Sequence, residues 1–385
     1  MRIIVAPTSF KGSLGVIDAC IAIIGGIRGI YPNADIVQFP ISDGGDGFLE
    51  SLLFNCGGEF VKATVKGPNG REIETQCGIL SNGIGVVEMA KASGIALVKE
   101  KDRDPFLATS YGTGQLIKTL SKRGIRKIIV GIGGSATIDL GMGCLQALGV
   151  RFFDRDGVEV GLFGREISRV VRIDTDGIDE DVLRSEIIVA ADVKNSLLGD
   201  EGAVYTYGKQ KGLTEKDAPF AEDGVRNLVR VMERECEKDI TSLVGGGAAG
   251  GIGGGLYAVC NATVREGIEL FFEVTDYKKR MEGCDIIITG EGRVDGLTRY
   301  GKAVNRILEF GREKEKMVIV LAGEITESGE RLFSEGKSFG IAITPPGMEF
   351  EKAKERVDEF IRKGTIHALM HIKKWLGDKD IDHFK

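Results

Sequence analysis

The stretch Gly131-Ile-Gly-Gly-Ser-Ala-Thr-Ile-Asp-Leu-Gly-Met-Gly-Cys-Leu-Gln-Ala-Leu-Gly149 decides how this chain folds. It follows Lys127-Ile-Ile-Val130, a β-branched run that reads as a strand, and it enters a helical segment, Met142 to Leu148. Glycine between a strand and a helix lets the backbone turn through positive φ and approach a ligand closely. The helix start beyond it presents unpaired N–H groups and the positive end of a dipole, which suits a phosphate or carboxylate. Ser135, Thr137 and Asp139 add two hydroxyls and a carboxylate at that mouth. Taken alone, a capped helix start with tight packing would read the same way.

Similar punctuation recurs along the chain. Arg2 to Ala6, Ala34 to Phe39, Lys127 to Gly131, Asp285 to Thr289, Met317 to Ala322 and Phe339 to Ile343 read as buried strands. Val16, Ala19, Cys20, Ile23, Ile24 and Ile27 fall at helical spacing after the first of them; Gly112 to Arg123 and Phe350 to Leu376 are helical as well. Apolar strands alternating with amphipathic helices predict a parallel sheet covered on both faces, because parallel strands need crossover connections. The middle of the chain has another texture. Val61 to Val65, Gly67-Pro-Asn-Gly70 and Glu72 to Ile79 predict an antiparallel hairpin, and Phe152 to Gly157 another turn of that kind. The fold class is therefore α/β: a Rossmann-like, doubly wound parallel-sheet domain built from both chain ends (residues 1–60 and 265–385), with a mixed α/β domain (61–264) inserted. The active site is expected in the cleft between them.

With 385 residues the chain should form about two domains. Its 28% charged and 42% hydrophobic residues are ordinary for a globular protein. A net charge of −6 argues against a general nucleic-acid binder, which needs a basic field to displace phosphate counterions. Seven scattered cysteines without a Cys-x-x-Cys pair fit reduced core thiols in a cytoplasmic protein. No signal peptide or membrane-spanning run is expected. The 56 glycines, about twice the usual share, concentrate in loops that end strands or start helices.

Several clusters sit at predicted strand ends, where ligands bind in open parallel sheets. Ser9, Lys11 and Ser13 in Ala6-Pro-Thr-Ser-Phe-Lys-Gly-Ser13 would surround an anion, with Lys11 as a point charge or else a solvated lysine. Asp43 and Asp46, among the glycines of Pro40 to Gly47, suit magnesium or substrate hydroxyls; an Asx turn would look alike. Ser110 to Gln115 opens a helix. Asp192 ends the strand Ile187 to Ala191, where an acid can accept a proton from a substrate hydroxyl or cap a turn. Gly245 to Gly255 is nearly free of side chains, so it acts through backbone N–H groups or close packing. The last cluster is Thr289-Gly-Glu-Gly-Arg-Val-Asp-Gly-Leu-Thr-Arg-Tyr-Gly-Lys302.

Other motifs fail. Gly296 to Lys302 spells Gly-x-x-x-x-Gly-Lys, but Ala303 stands where a P-loop needs Ser or Thr for magnesium. His367 and His371 enclose no acid, so no zincin pattern exists, and three histidines near the C-terminus do not suggest a Ser-His-Asp hydrolase. The glycine runs lack the ribose-binding acid expected of a dinucleotide fold.

In this order, the clusters resemble the bacterial glycerate kinase family with the Ala-Pro-Asp-Ser-Phe-Lys-Gly start. The resemblance covers Ala6 to about Pro346. It rests on Ser9-Phe-Lys-Gly-Ser13, Asp43-Gly-Gly, Tyr111-Gly-Thr-Gly, Gly133-Gly-Ser-Ala-Thr137, Leu145-Gln-Ala-Leu-Gly149, Asp192-Val, Asn195, Gln210-Lys-Gly212, Gly247-Ala-Ala-Gly-Gly251 and Thr289-Gly-Glu-Gly292. It implies glycerate as substrate, ATP and magnesium as cofactors, and two α/β domains, one inserted in the other. On that basis Asp192 is expected as base or orienter of the attacking hydroxyl and Lys11 on the transferring phosphate. Gly133, Gly134, Ser135 and Thr137 are expected on phosphate oxygens, and Ser9, Ser13, Asn195, Glu291 and Lys302 at substrate or phosphate. Asp43, with Glu291 or Asp295, is the expected magnesium or hydroxyl partner. Thr8 stands where the family has Asp; Ile138 and Leu140 replace Asn and Gly; Ser196 and Leu297 replace Pro and Gln. A kinase of a related hydroxy acid and a non-catalytic sugar-acid sensor are the alternatives these departures leave. Neither nucleic acid nor membrane is expected as a partner; a homodimer and the phosphorylated carbon stay open.

Overall fold

The computed structural model describes residues 1–10, 12–192, 195–299 and 303–376. In chain order the strands are β1 (Arg2–Val5), β2 (Asp35–Gln38), β3 (Gly58–Lys66), β4 (Glu72–Leu80), β5 (Gly85–Glu88) and β6 (Lys127–Gly131). There follow β7 (Arg151–Phe153), β8 (Arg172–Asp174), β9 (Glu186–Ala191), β10 (Thr263–Glu266), β11 (Ile286–Val294), β12 (Met317–Ile325) and β13 (Ser338–Ala342). The chain divides into two compact units. One comprises residues 1–42, 50–55 and 271–385, the other 43–49 and 56–270.

The first unit holds a five-stranded sheet in the order β13-β12-β11-β1-β2, parallel throughout. Ile3, Ile4, Val5, Ile287, Ile288, Ile319 and Val320 are fully buried, as strands covered on both faces require. The helix Val16–Ile30 lies against the C-terminal helix Val357–Leu376. Their approach is close at Gly26, where a Cβ would stand 2.5 Å from Thr365 Cβ and 2.9 Å from the Arg362 carbonyl. The C-terminal helical segment is not continuous: Phe350–Lys354 is a separate turn before Val357.

The second unit holds a six-stranded sheet, β10-β9-β6-β5-β4-β3, in which the first four strands are parallel and the hairpin β3–β4 is antiparallel. Its turn falls at Gly67–Gly70, as the sequence predicts, with the Gly67 N–H donating to Arg71 O at 2.7 Å. Strand β5, Gly-Val-Val-Glu, has no counterpart in the sequence reading. A short antiparallel pair, β7–β8, completes the unit. Residues 43–49 cluster here, whereas the sequence reading assigns them to the chain ends. Hydrogen bonding explains it: the Gly133 N–H donates to Gly44 O at 3.0 Å, and Glu88 accepts from Gly47 N and Leu49 N at 3.3 and 2.9 Å.

No helix among the described residues is long and apolar enough to cross a membrane. All seven cysteines are free. The helix contact at Gly26 gives a direct test of packing. Gly26→Val should destabilise the protein by about 2 kcal/mol, the usual cost of overpacking a tight interface, read as a lower denaturant midpoint. An unchanged midpoint would mean that the two helices are not this close.

Candidate active site

Two sets of residues gather at strand ends, one in each unit. In the second unit, three segments meet beyond the C-terminal ends of β6 and β9. Gly44 lies so close to β9 that a Cβ would stand 2.8 Å from Ala190 O, and Gly133 lies against Gly45, with 2.5 Å between a built Cβ and the Gly45 Cα. The Ile132 N–H donates to Ala190 O at 3.3 Å, and Asp192 follows β9 directly. Asp43, Gly133, Gly134 and Asp192 are thereby brought together. Gly134 takes φ +72°, and the Asp46 carboxylate lies above it, 3.0 Å from where a Cβ would be. Glycine takes this backbone conformation without strain and leaves room for the carboxylate.

The loop beyond is held by two buried charged groups. Asp139, fully buried, turns inward rather than toward a ligand. It accepts from Ser110 N at 3.0 Å, Ser110 Oγ at 2.6 Å, Gly141 N at 3.1 Å and Gly143 N at 3.4 Å. Ser110 Oγ in turn accepts from Cys144 N at 2.9 Å. The carboxylate thus sits at the start of the helix Met142–Leu148, satisfying N–H groups that have no intrahelical partner. On the other side, Lys211 Nζ donates to Ser135 Oγ and to Thr137 O, both at 2.7 Å. Burial pushes the Lys211 ammonium down to about 7 from an ordinary 10.5, with the Asp139 charge opposing.

The glycine run 245–255 works by close packing. A Cβ on Gly250 would stand 2.1 Å from Thr137 O, and one on Gly255 2.1 Å from Leu140 O. The Leu140 N–H donates to Gly250 O at 3.0 Å. Leu140 itself has φ 50°, a region open to glycine but strained for leucine. It stands where the resembled family has glycine, and its fully buried side chain offsets the strain. On the far side, the Gly247 N–H donates to Asn195 O at 3.2 Å. Asn195 Oδ1 accepts from the Tyr207 hydroxyl at 2.6 Å. Tyr207 is pushed up by burial and then by the charge of Asp192, so Asp192, Tyr207 and Asn195 form one neighbourhood.

In the first unit, Ser9 and Ser13 lie in the loop between β1 and the helix Val16–Ile30. Thr8 donates from both N and Oγ1 to Gly290 O, at 2.8 and 3.1 Å, which ties this loop to β11. Strand β11 does not end at Thr289: its pairing with β12 continues through Val294↔Ile325, so Glu291 is a strand residue. Glu291 accepts from the buried Thr298 hydroxyl at 3.2 Å, and that hydroxyl accepts from Asp295 N at 3.2 Å. Asp295 also stands 3.7 Å from Arg293. Lys11 and Lys302 lie outside the described residues. No group of three or more His, Cys, Asp or Glu suited to a metal ion occurs among the described residues.

Three residues here carry no role in the sequence reading. Lys211 lies within Gln210-Lys-Gly212, a motif without a local chemical signature. Tyr207 has none either. Glu88 did leave a trace: Gly85-Val-Val-Glu88 ends on an acid, as the run before Asp192 does.

Parallel sheets with glycine loops, hydroxyls and carboxylates at their strand ends define an α/β protein with polar loops where open parallel sheets place their ligand sites. Residues 3–373 match the glycerate kinase family. The chain is 36% identical to glycerate kinase of Halalkalibacterium halodurans, over 97% of this chain and 98% of that protein. It is 37% identical to glycerate 2-kinase of Escherichia coli K12, over 85% and 86%. A Salmonella typhimurium LT2 crystal structure described as glycerate kinase 2 superposes with a TM-score of 0.80 at 34% identity, covering 97% of this chain and 98% of that one. The chain belongs to the glycerate kinase family and is a phosphotransferase of that family.

Two predictions follow from the buried charges. Asp139→Ala removes the acceptor of four hydrogen bonds and should cost about 3 kcal/mol or more of unfolding free energy; a loss below about 1 kcal/mol would show that these bonds are dispensable. Lys211 has its own pH signature. Between about 7 and 10.5 the unfolded chain holds a proton that the folded protein has released. Stability from this group therefore rises with pH across that window and is lost as pH falls through about 7. The stability of wild type minus that of Lys211→Met should rise from pH 7 to pH 9; a difference that stays flat would contradict the depressed lysine.

Proposed function

We propose that this protein transfers the γ-phosphoryl group of ATP to a hydroxyl of glycerate, giving ADP and 2- or 3-phosphoglycerate. The observation that carries this reading is the meeting of Asp43–Gly45, Gly131–Gly134 and Asp192 at the ends of β6 and β9. It sets a side-chain-free backbone, able to lie against phosphate oxygens, beside a carboxylate able to take a hydroxyl proton. The names of the relatives support glycerate as the substrate.

Asp192 accepts the proton as the glycerate oxygen attacks the γ-phosphorus and the bond to the ADP oxygen breaks. Such a transfer needs alignment and charge neutralisation more than covalent help. Gly133, Gly134, Ser135 and Thr137 hold phosphate oxygens, and Lys11, outside the described residues, is assigned to the transferring phosphate by its place in the motif. Ser9, Ser13, Asn195, Glu291 and Lys302 complete the binding of substrate and phosphate. The residues fit a phosphate ligand: Gly134 is left-handed, and the buried Thr137 Oγ1 has no hydrogen-bond partner among the described residues. Magnesium takes one or two protein carboxylates and keeps most of its water, so Asp43 or Asp295 suffices as its protein ligand. Bound with the nucleotide, the ion neutralises phosphate charge. The free, dispersed cysteines support a cytoplasmic setting.

ADP release measured with ATP, magnesium and a panel of D-glycerate, L-glycerate and related hydroxy acids tests the reading. Turnover on glycerate is expected, and Asp192→Asn should lower kcat about 10²-fold or more while the protein stays folded. Binding of glycerate without turnover would favour a sugar-acid sensor. Near wild-type kcat for Asp192→Asn would remove that residue as the base.

A further inference from the structure

Lys211 has no part in the reaction as drawn, yet it is the one lysine or arginine that is fully buried among the described residues, 3% exposed. Its place is fixed from both sides. The turn Lys209–Lys211 ends on Gly212 at φ +96°, packed so tightly that a Cβ would stand 2.0 Å from Arg103 O. Its ammonium reaches Ser135 Oγ and Thr137 O, both at 2.7 Å.

Below about pH 7, where Lys211 keeps its proton, its ammonium only donates, whereas a serine hydroxyl both donates and accepts. The bond from Lys211 therefore uses Ser135 Oγ as acceptor and leaves the hydroxyl proton to be given elsewhere. A charged donor also polarises that hydroxyl and strengthens the bond it makes in turn. The neighbouring Thr137 is held through its carbonyl by the same ammonium, while its own hydroxyl, fully buried, has no hydrogen-bond partner among the described residues. A buried, unmatched hydroxyl costs free energy unless something completes it. Two hydroxyls with protons to give, on one loop after Gly133-Gly134, suit an oxyanion.

We infer that Lys211 is a positioning residue: it fixes the Ser135 hydroxyl as a donor to a phosphate oxygen of the bound nucleotide. This rests on the proposed reading of Ser135 as a phosphate ligand. Lys211 acts through Ser135, so its contribution disappears when Ser135 is gone.

A double-mutant cycle tests this, using Ser135→Ala, Lys211→Met and the double variant. The dissociation constant of MgADP is measured by calorimetry at a pH below 7, where Lys211 is protonated, together with KM for ATP and kcat, and thermal melts report folding. Each single change should raise the MgADP Kd and the ATP KM about tenfold, the effect of losing one charge-assisted hydrogen bond. The double variant should bind no more weakly than the weaker single, and kcat should change less than KM. Lys211→Gln runs the same cycle if the methionine variant does not fold. Equal weakening by the Lys211 change in the presence and absence of the Ser135 hydroxyl would overturn the inference, since groups that act independently of each other give additive effects; a fall in kcat as large as the rise in KM would overturn it as well. The underlying reading fails differently: wild-type protein would then release no ADP with glycerate, or Ser135→Ala would leave MgADP affinity unchanged.

Discussion

Everything at the proposed site hangs on how the loop from Gly133 to Gly143 is held, and two buried ionisable side chains, an acid and a base, hold it. Asp139 gathers Ser110 and the amides of Gly141 and Gly143 around one carboxylate. Lys211 fastens the other half through Ser135 and the Thr137 carbonyl. A buried charge is tolerable only when partners surround it. Asp139 meets that condition with four hydrogen bonds, whereas the two acceptors of Lys211 and the attraction of Asp139 only partly offset its burial, which depresses its pKa. The loop therefore has little freedom to relax when either is removed. A ligand arriving at Gly133 and Gly134 meets a backbone already ordered, so little conformational entropy is lost on binding.

Glycine does the rest of the positioning by what it lacks. Gly44 against Ala190, Gly133 against Gly45 and Gly250 against Thr137 are approaches that any side chain would block. They let three segments far apart in sequence share the space beyond β6 and β9. The first unit uses hydroxyls to similar effect. Thr8 binds Gly290, and Thr298 links Asp295 to Glu291. Thr8, which departs from the resembled family, is thus engaged in joining the first loop to β11. Leu140, another departure, is accommodated by burial despite its left-handed backbone.

Much of this was legible in the sequence because period and punctuation agreed. Strand β6, the helix Met142–Leu148 and the hairpin β3–β4 each combined a clear apolar pattern with a turn signal on its flank, and each stands close to where those signals put it. Strands β11 and β12 run past the predicted ends because pairing between them continues through residues whose composition reads as loop, Gly290 to Arg293 among them. The direction of side chains was less accessible. Asp139 looked like a carboxylate at a binding mouth, yet tertiary partners turn it inward. Lys211 and Tyr207 depend on a fold that carries them across long sequence separations, which no spacing rule encodes. The assignment of 43–49 to the second unit has the same origin: it follows from Glu88 and Gly133, not from neighbours in the chain.

The central claim, phosphoryl transfer from ATP to glycerate, is tested most directly by following the phosphorus itself. Phosphorus NMR of the protein with ATP, magnesium and D-glycerate should show loss of the γ-phosphate resonance and growth of a phosphomonoester coupled to a carbon-bound proton of glycerate. Coupling to one proton would identify the 2-phosphate and coupling to two the 3-phosphate. A spectrum in which ATP persists unchanged, or in which only inorganic phosphate grows, would contradict the account.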